Sequence, residues 1–305
     1  MQITVIGTGG VGGYFGARLA KAGHKVGFVA RRAHLDALRA NGLRLESQLG
    51  NLYLPSVLVD EDPAAFGVPD IVLICVKLWD TEAAAQLAKP IVNSNTAVIS
   101  LQNGVQKDDV LRAMLPAQAV VGGVCYVAAQ IKQPGVIQHT GKLQKLIVGE
   151  YDSPSAKRMG AFGDICRQSG FEASISDDIR RSIWEKFVFL VGLSAVTTVE
   201  RLPIGPIRAN PSTRELLLGL MQETVAVGRA RKVKLDEQFA EDRLAFCDSL
   251  PAEFTSSMCH DLEHGKRLEV EWLSGAVVTL GRTVGVPTPL NRGILERLAP
   301  HAQGH

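Results

Sequence analysis

The chain has 305 residues, of which 46% are hydrophobic and 21% charged, so it can bury more than one core and two domains are expected. Its 33 basic and 31 acidic side chains leave a formal net charge of +2, too little to attract a polyanion or an anionic membrane surface. Neither a nucleic acid nor a membrane is therefore expected as a partner.

The predicted location follows from the start of the chain and from its cysteines. The first residues have the pattern of a buried strand and lack a secretory signal, and the five cysteines show no C-x-x-C pair. The longest apolar stretch, residues 187–196, is shorter than the about 20 residues that cross a bilayer. We expect a cytoplasmic protein with reduced thiols and no metal site.

The first half alternates short β-rich runs with helical stretches, which predicts an α/β fold with a doubly wound, mostly parallel sheet. The clearest predicted strands are residues 2–6, 25–30, 71–76, 97–101 and 119–127. Residues 135–140 and 145–149, divided by Gly141, are predicted to form a hairpin or an edge pair, and residues 172–176 a last strand.

In the second half the strand signal fades and apolar residues recur at helical spacing. The predicted helical stretches are residues 179–198, 213–231, 240–248 and 266–285, with the Pro- and Gly-rich segment 202–211 as a loop. The sequence thus predicts an α/β domain over residues 1–177 and an all-α domain over residues 178–305.

A glycine-rich motif follows the first predicted strand. It comprises Gly7, Thr8, Gly9, Gly10, Val11 and Gly12, a complete G-x-G-x-x-G that leads into a helical stretch. In this context Gly7 permits the tight turn, Gly9 lets the backbone approach a pyrophosphate, and Gly12 lets the helix pack closely on the strand. A Rossmann-type dinucleotide site is favoured over a plain glycine-rich turn.

The end of the second predicted strand indicates which dinucleotide binds. An NAD site would place Asp or Glu there for the ribose 2′-hydroxyl, whereas this chain has Arg31 and Arg32. Guanidinium groups bind a 2′-phosphate through charge-assisted hydrogen bonds. NADPH is therefore the expected cofactor, and the alternative is a pair of solvated arginines that open a helix.

Two candidate ligand-binding residues follow the ends of later predicted strands, where open α/β sheets bind ligands. Lys77 follows one strand, and Asn103, before Gly104, follows the next. The Asn103 amide could bind a nicotinamide carboxamide or a substrate oxygen. The alternatives are a solvated strand end for Lys77 and a simple turn for Asn103-Gly104.

The second half contributes two candidate catalytic residues. Lys186 lies in an apolar helical stretch that would shield its ammonium group and make it a proton donor, unless it is a lysine that reaches out to solvent. Helical spacing places Glu269 on the side of Trp272 and Leu273, where its carboxylate needs a partner. A structural ion pair is as consistent with Glu269 as a catalytic role.

Residues 260–264 match the inverted zinc-protease pattern H-x-x-E-H, with His260, Glu263 and His264. Because a dinucleotide-binding domain already explains half of the chain and nothing else suggests a metal, we interpret this stretch as a solvated helix face.

Taken in order along the chain, these features resemble the ketopantoate reductase (2-dehydropantoate 2-reductase) family, and the resemblance covers essentially the whole chain. The matching residues are Gly7 to Gly12, Arg31, Val76-Lys77, Leu101-Gln102-Asn103-Gly104, Trp184-Glu185-Lys186, Ser256-Ser257-Met258, Glu269 and Gly275.

The resemblance implies a role for each candidate residue. Lys186 would be the general acid that protonates the carbonyl oxygen, and Glu269 would orient Lys186 and the substrate hydroxyl. Asn103 and Lys77 would line the cofactor and substrate cleft, and Ser257 would contact the substrate carboxylate. The resemblance also implies NADPH as cofactor and a role in pantothenate biosynthesis.

Three positions depart from the pattern of the family. Where its members typically carry asparagines, this chain has Leu190, Ser194 and Phe254. In that family these amides help to hold the ketopantoate end of the pocket, and each unpaired neutral group would cost about 1–3 kcal/mol. The departures bear on the substrate and leave the hydride chemistry unaffected.

The predicted function is NADPH-dependent reduction of a 2-keto acid, with ketopantoate as the first candidate substrate. One alternative is the same reaction on a bulkier or more apolar 2-keto acid, and another is a protein that binds NADPH without turnover. Helical second domains of this kind often pair, so a homodimer is an alternative to a monomer.

Overall fold

The chain forms two compact units. A computed structural model describes residues 1–152 and 157–304. The first unit contains Met1–Asn103 and Lys107–Ile179, and the second contains Gly104–Gln106 and Arg180–His305.

The first unit is built on a 10-stranded sheet in the order β4-β3-β9-β8-β7-β6-β1-β2-β5, with β10 paired to β9. Five neighbouring strands of this sheet, β7, β6, β1, β2 and β5, run parallel. Strand β8 is parallel to β7 but antiparallel to β9. Their bounds are β1 (Gln2–Ile6), β2 (Lys25–Val29), β3 (Leu43–Ser47), β4 (Leu52–Leu54), β5 (Leu58–Asp60), β6 (Ile71–Ile74), β7 (Ala97–Ser100), β8 (Val120–Gln133), β9 (Val136–Gly149) and β10 (Glu172–Ile175).

Helices cover both faces of this sheet because its central strands are apolar on both sides. In β1, Ile3 and Val5 pack in one core with Phe15, whereas Ile6 packs in another core with Ala85. The first core is closed by α1 (Gly10–Lys21), α2 (Arg32–Asn41) and α5 (Lys157–Gln168), and the second by α3 (Thr81–Ala88) and α4 (Lys107–Met114). The predicted doubly wound α/β fold is confirmed.

The far side of the sheet differs from the prediction. Residues 136–149 form the single strand β9, and the hairpin turn lies between β8 and β9 at Pro134 and Gly135. Gly141, with φ of +74°, marks a shift in register between the Val127–Gln144 and Ala129–His139 pairs. The predicted break is thus a bulge within a strand, a place where glycine is common. The short strands β3, β4 and β5 were not predicted.

The second unit is helical over its described residues. Its helices are α6 (Ile179–Glu200), α7 (Ile204–Ala209), α8 (Pro211–Ala230), α9 (Phe239–Ser249), α10 (Ser257–Glu263), α11 (Ser274–Val284) and α12 (Pro289–Leu298). By length and composition α6 could cross a membrane, but 67% of its most apolar window is buried in the protein. Its apolar residues, such as Phe187, Val191 and Val196, form part of the core of this unit.

Two predicted elements of the second half are wrong in detail. The predicted helix over residues 266–285 begins only at Ser274, because residues 266–269 have no regular secondary structure and residues 270–273 form a turn. In that turn the Glu269 carbonyl accepts hydrogen bonds from the amides of Trp272 and Leu273, so a single helical turn precedes α11 and keeps the predicted spacing of these three residues. The predicted loop over residues 202–211 contains the short helix α7.

Candidate active site

The glycine-rich loop lies between β1 and α1 in the first unit. Its backbone is tied to β2, because the amides of Gly7 and Thr8 donate to the Val29 carbonyl at 3.3 and 3.1 Å. The Thr8 hydroxyl donates to the same carbonyl at 2.9 Å. Thr8 is buried, so its side chain holds the loop in place, with its hydroxyl committed to β2.

The three motif glycines have separate structural reasons. Gly7 has φ of +96°, and a Cβ there would lie 2.8 Å from the Val76 nitrogen. At Gly12 a Cβ would lie 2.3 Å from the Gly7 carbonyl oxygen, so no side chain fits between helix and strand. At Gly9, apart from this residue and its two chain neighbours, no atom of the described residues lies within 4 Å of such a Cβ. Sterically, only Gly9 faces open space.

The open space at Gly9 adjoins the N-terminus of α1. Gly9 is the N-cap residue, and within the described part of the chain no side chain caps this helix. The first turn also carries no acidic residue. Helix N-termini with free amides attract anions through these N–H groups and the helix dipole. The loop can therefore bind a phosphate group.

Gly10 has a role that sequence reasoning missed. A Cβ at this position would lie 2.0 Å from the Ala129 carbonyl oxygen, which belongs to β8. The first turn of α1 therefore packs directly on the backbone of this strand. The sequence gives no signal for this contact, because Ala129 is distant along the chain.

Arg31 and Arg32 follow β2, as predicted. Arg31 is the N-cap residue of α2, and its side chain is 58% exposed. Its guanidinium lies 3.8 Å from the Asp80 carboxylate, a long, exposed contact that contributes little to stability. Arg32 is exposed and has φ of +55°, a backbone conformation that residues other than glycine rarely adopt. Both guanidinium groups remain accessible to an anionic ligand.

His34, in the first turn of α2, is a residue that the sequence did not single out. Its Nδ1 accepts a hydrogen bond from the Gly135 amide at 3.1 Å. Burial lowers the pKa of His34, and a smaller backbone interaction with Thr8 acts in the opposite direction. The imidazole is therefore neutral at pH 7, and its Nδ1 helps to hold the β8–β9 turn at Gly135.

A buried amide joins the two strand ends that carry Lys77 and Asn103. The Gln102 side chain donates to the Thr81 hydroxyl at 2.8 Å and to the Lys77 carbonyl at 3.3 Å, and it accepts from the Ser100 hydroxyl at 2.9 Å. Asn103, half-buried, follows directly. Gln102 thus fixes the backbone on both sides of the predicted ligand-binding pair.

Lys77 is exposed beyond β6, and its ammonium lies 5.8 Å from the centre of the Trp79 ring. That distance is within the range of a cation–π contact. The glycine-rich loop, Arg31, Lys77 and Asn103 therefore form one group of predicted site residues, all carried by the first unit.

Lys186 and Glu269 belong to the second unit. Lys186 lies in the second turn of α6, is half-buried and precedes the buried Phe187. The carboxylate of the adjacent Glu185 forms an ion pair with Arg181 at 2.7 Å, so we assign Glu185 no part in the predicted proton transfer. Glu269 is only 6% exposed, so its carboxylate is largely removed from water.

The three departures from the family pattern lie in one region of the second unit. Leu190, Ser194 and Thr197 are spaced to share a face of α6, and the Thr197 hydroxyl lies 2.8 Å from the Ser256 hydroxyl. Leu190 and Phe254 pack on the core as partly buried residues. This region is therefore largely apolar.

The polar groups of that region differ in their bonding. The Ser194 hydroxyl is buried and has no hydrogen-bond partner among the residues that the structure describes. Ser256 caps α10 by accepting from the Cys259 amide at 3.1 Å, whereas Ser257 is exposed on the first turn of that helix. Of the two serines, only Ser257 has a side chain exposed to a ligand.

The H-x-x-E-H stretch forms no recognisable metal site. His260 lies 3.4 Å from Glu263, and Nδ1 of His264 lies 2.7 Å from the His260 carbonyl oxygen. Within residues 1–152 and 157–304, no group of three His, Cys, Asp or Glu side chains is placed to hold a metal ion. The five cysteines are free thiols.

Comparison with known proteins connects both units to one family. The family model Ketopantoate reductase PanE/ApbA matches residues 3–153, and the model of its C-terminal part matches residues 178–302. A 2-dehydropantoate 2-reductase of Archaeoglobus fulgidus is 32% identical, over 96% of this chain and 95% of its own length.

Solved structures show the same fold. A PanE/ApbA family ketopantoate reductase from Ralstonia eutropha matches with a TM-score of 0.89 at 33% identity, over 99% of this chain and 98% of that protein. A D-mandelate dehydrogenase in complex with NADH and anilino(oxo)acetate matches with a TM-score of 0.90, over 99% and 98% of the two chains. At 20% identity the second likeness concerns the fold alone.

Proposed function

Because the chain belongs to the ketopantoate reductase family of oxidoreductases, we propose that it reduces a 2-keto acid to a 2-hydroxy acid with NADPH, and that ketopantoate is the first candidate substrate. The observation that carries this proposal is the glycine-rich loop, where Gly9 alone opens onto free space at an uncapped helix N-terminus. Family membership sets aside the alternative of a protein that binds NADPH without turnover.

The residues of the first unit fit NADPH. Gly7 to Gly12, with Thr8, Gly10 and Val11 among them, would hold the pyrophosphate at the start of α1. Arg31 would bind the 2′-phosphate, since its guanidinium is exposed directly after β2, where an NAD site has a carboxylate. Lys77 and Asn103 would contact the nicotinamide end of the cofactor.

The chemistry divides between the cofactor and the side chains. When bound, NADPH supplies the hydride that adds to the keto carbon. Lys186 donates a proton to the carbonyl oxygen as negative charge develops there, and so acts as general acid. Glu269 orients the Lys186 ammonium, Asn103 donates a hydrogen bond to the substrate, and Ser257 binds its carboxylate.

A more apolar 2-keto acid is the second candidate substrate. Leu190 and Phe254 present hydrocarbon where the family has amides, and the unpaired Ser194 hydroxyl is the only one of the three side chains that can bond a substrate. A buried substrate hydroxyl without a partner is unfavourable, whereas an alkyl or aryl tail of similar size is stabilised by burial. That a D-mandelate dehydrogenase shares the fold is compatible with this alternative.

The two candidates are separated by a kinetic comparison on the wild type and two variants. We measure kcat/KM for ketopantoate and for an analogue without its hydroxyl, with NADPH. If the apolar side chains set specificity, the wild type prefers the analogue, and Leu190→Asn shifts the ratio toward ketopantoate by about tenfold, the effect of one regained hydrogen bond.

Leu190→Met is the matched control, because it changes the shape of the side chain without adding an amide and should leave the ratio nearly unchanged. A wild type that strongly prefers ketopantoate, together with no effect of Leu190→Asn, would establish the plain ketopantoate reductase activity. Equal rates on every keto acid tested would contradict both candidates.

The remaining parts of the proposal concern organisation. The α/β part, residues 1–177, would bind NADPH, and the helical part, residues 178–305, would bind the keto acid and carry any dimer contact. We also propose that the protein acts in the cytoplasm on a small molecule, in pantothenate biosynthesis if ketopantoate is its substrate.

A further inference from the structure

A buried lysine closes the loop that carries Asn103. Residues 101–106 connect β7 to α4, and Lys107 is the first residue of α4. Its side chain is only 1% exposed. The ammonium donates to the Ser100 carbonyl at 2.8 Å, to the Gly123 carbonyl at 3.0 Å and to the Asp108 carboxylate at 3.3 Å.

These bonds hold the ammonium in place. An ammonium has three N–H donors, and two carbonyl oxygens and both oxygens of the Asp108 carboxylate lie within hydrogen-bond distance of it. Asp108 is oriented in turn by the Tyr151 hydroxyl, which donates to it at 2.6 Å. The Lys107 side chain therefore has one defined position, which links the last residue of β7 to β8 and to the start of α4.

Stability alone is a weak reason for such a group. Removing two charges from water is costly, and a well-packed apolar pair of similar volume generally holds a fold as well as a buried ion pair. What an apolar pair cannot do is hold two backbone carbonyls at fixed positions. In this chain the held carbonyls belong to Ser100 and Gly123, at the base of the loop.

The loop is also fixed from inside. The Ser100 hydroxyl bonds Gln102, whose amide reaches Thr81 and the Lys77 carbonyl. Lys107 and Gln102 thus hold the two sides of Ser100, its carbonyl and its side chain. Asn103 follows this braced segment directly, and Gly104, with φ of +82°, reverses the chain after it.

We propose that Lys107 is a positioning residue for the reaction, because it fixes both ends of segment 101–106 and thereby the Asn103 amide. This inference rests on the proposed role of Asn103. Because the Lys107 ammonium binds the Ser100 and Gly123 carbonyls, its effect on the reaction is through the placement of Asn103.

The test replaces the buried polar cluster by apolar side chains. Lys107→Met, Asp108→Leu and Tyr151→Phe are combined, so that no buried charge or hydroxyl of the cluster is left without its partner. Tyr151→Phe alone is the matched control, because it removes the hydrogen bond to Asp108 and leaves both loop carbonyls bound. A second variant, Lys107→Met with Asp108→Asn, keeps an acceptor for Tyr151 should the triple variant fail to fold.

Two measurements are made on each folded variant. Amide hydrogen exchange of the peptide covering residues 101–106 reports the loop without requiring turnover, and we expect at least about tenfold faster exchange in the apolar variant than in Tyr151→Phe. Steady-state kinetics should show kcat lowered at least about tenfold, with the Kd for NADPH raised by no more than about tenfold, the effect of the one hydrogen bond that Asn103 would give the cofactor.

Unchanged exchange would overturn the proposal, because Lys107 would then not hold the segment. Faster exchange with kcat equal to that of Tyr151→Phe would also overturn it, because the held segment would not matter to the reaction. Failure of the proposed function gives a different result. In that case the wild type itself would not oxidise NADPH with any of the keto acids, while the exchange comparison would still report whether Lys107 holds the loop.

Discussion

Alanine substitutions at Gly9 and Gly12 should separate cofactor binding from folding. In Gly9→Ala the new methyl group meets no atom of the described residues within 4 Å beyond its own chain neighbours, and the extended backbone there suits any residue. Alanine is a poorer N-cap than glycine, but it also restricts the unfolded chain, so the free energy of unfolding should change by no more than about 1 kcal/mol.

The same methyl group occupies the space where a pyrophosphate would approach the α1 amides. Loss of one charge-assisted hydrogen bond, about 1.5–3 kcal/mol, weakens binding about 10- to 100-fold. Gly12→Ala should behave differently, because its Cβ would lie 2.3 Å from the Gly7 carbonyl oxygen and 2.8 Å from a Val5 methyl group. We expect this variant to lose about 1–3 kcal/mol of stability even without cofactor.

Urea unfolding of the cofactor-free proteins gives the stability of each variant, and a fluorescence titration gives the Kd for NADPH. The expected pattern is a stable Gly9→Ala protein that binds NADPH weakly and a destabilised Gly12→Ala protein. Wild-type affinity in Gly9→Ala would refute the assignment of this loop to the cofactor. Marked destabilisation of Gly9→Ala would contradict the open space at this position.

Three further predictions concern the cofactor, the acid and the thiols. Arg31→Ala should weaken NADPH binding at least about tenfold without changing NADH binding. Arg39→Ala, a control on the same helix, should change the binding of neither cofactor. Equal losses of affinity for both cofactors in Arg31→Ala would contradict a 2′-phosphate contact. Lys186→Ala should lower kcat by about 10²–10⁴ with an unchanged Kd for NADPH, and a variant that keeps most of the wild-type rate would exclude Lys186 as general acid. Burial raises the pKa values of Cys166 and Cys247 to about 12, above the ordinary thiol value of 9.0. The two buried thiols therefore stabilise the fold fully below pH about 9, and this stabilisation is lost as the pH rises toward about 12. The urea midpoint should fall over that pH range, and it should fall less steeply in Cys166→Ala. A midpoint that does not change with pH would contradict buried thiols.

The sequence was most informative where local pattern and packing coincide. The central strands are apolar runs bounded by turn residues, and the glycine spacing after β1 has one structural interpretation in a strand–loop–helix context. These features were predicted correctly, and so was the helical second half. The strands β3, β4 and β5 were missed because they lie toward the edges of the sheet and mix exposed with buried or partly buried residues, so they lack the continuous apolar run of β6 and β7.

Tertiary contacts determine the parts of the structure that local sequence patterns did not predict. Residues 266–273 carry apolar residues at helical spacing, yet the chain turns at Glu269 and the helix begins at Ser274. Such overrides of local propensity follow from packing that a window of sequence does not contain.

Lys107 is a second case of this kind. A lysine followed by Asp108 and Asp109 has the composition of a solvated helix start, and its burial depends on carbonyls of Ser100 and Gly123. The second of these lies on β8, which the fold brings beside β7. The residue that holds the Asn103 loop therefore had no local signal.

The most direct test of the central claim is the oxidation of NADPH by the purified wild-type protein, followed by absorbance with ketopantoate, with an unhydroxylated 2-keto acid and with no acid. NADPH-dependent 2-keto acid reduction predicts oxidation that requires the keto acid, saturates with its concentration and yields one 2-hydroxy acid for each NADPH consumed. A protein that binds NADPH tightly but oxidises it with none of these acids would contradict the claim.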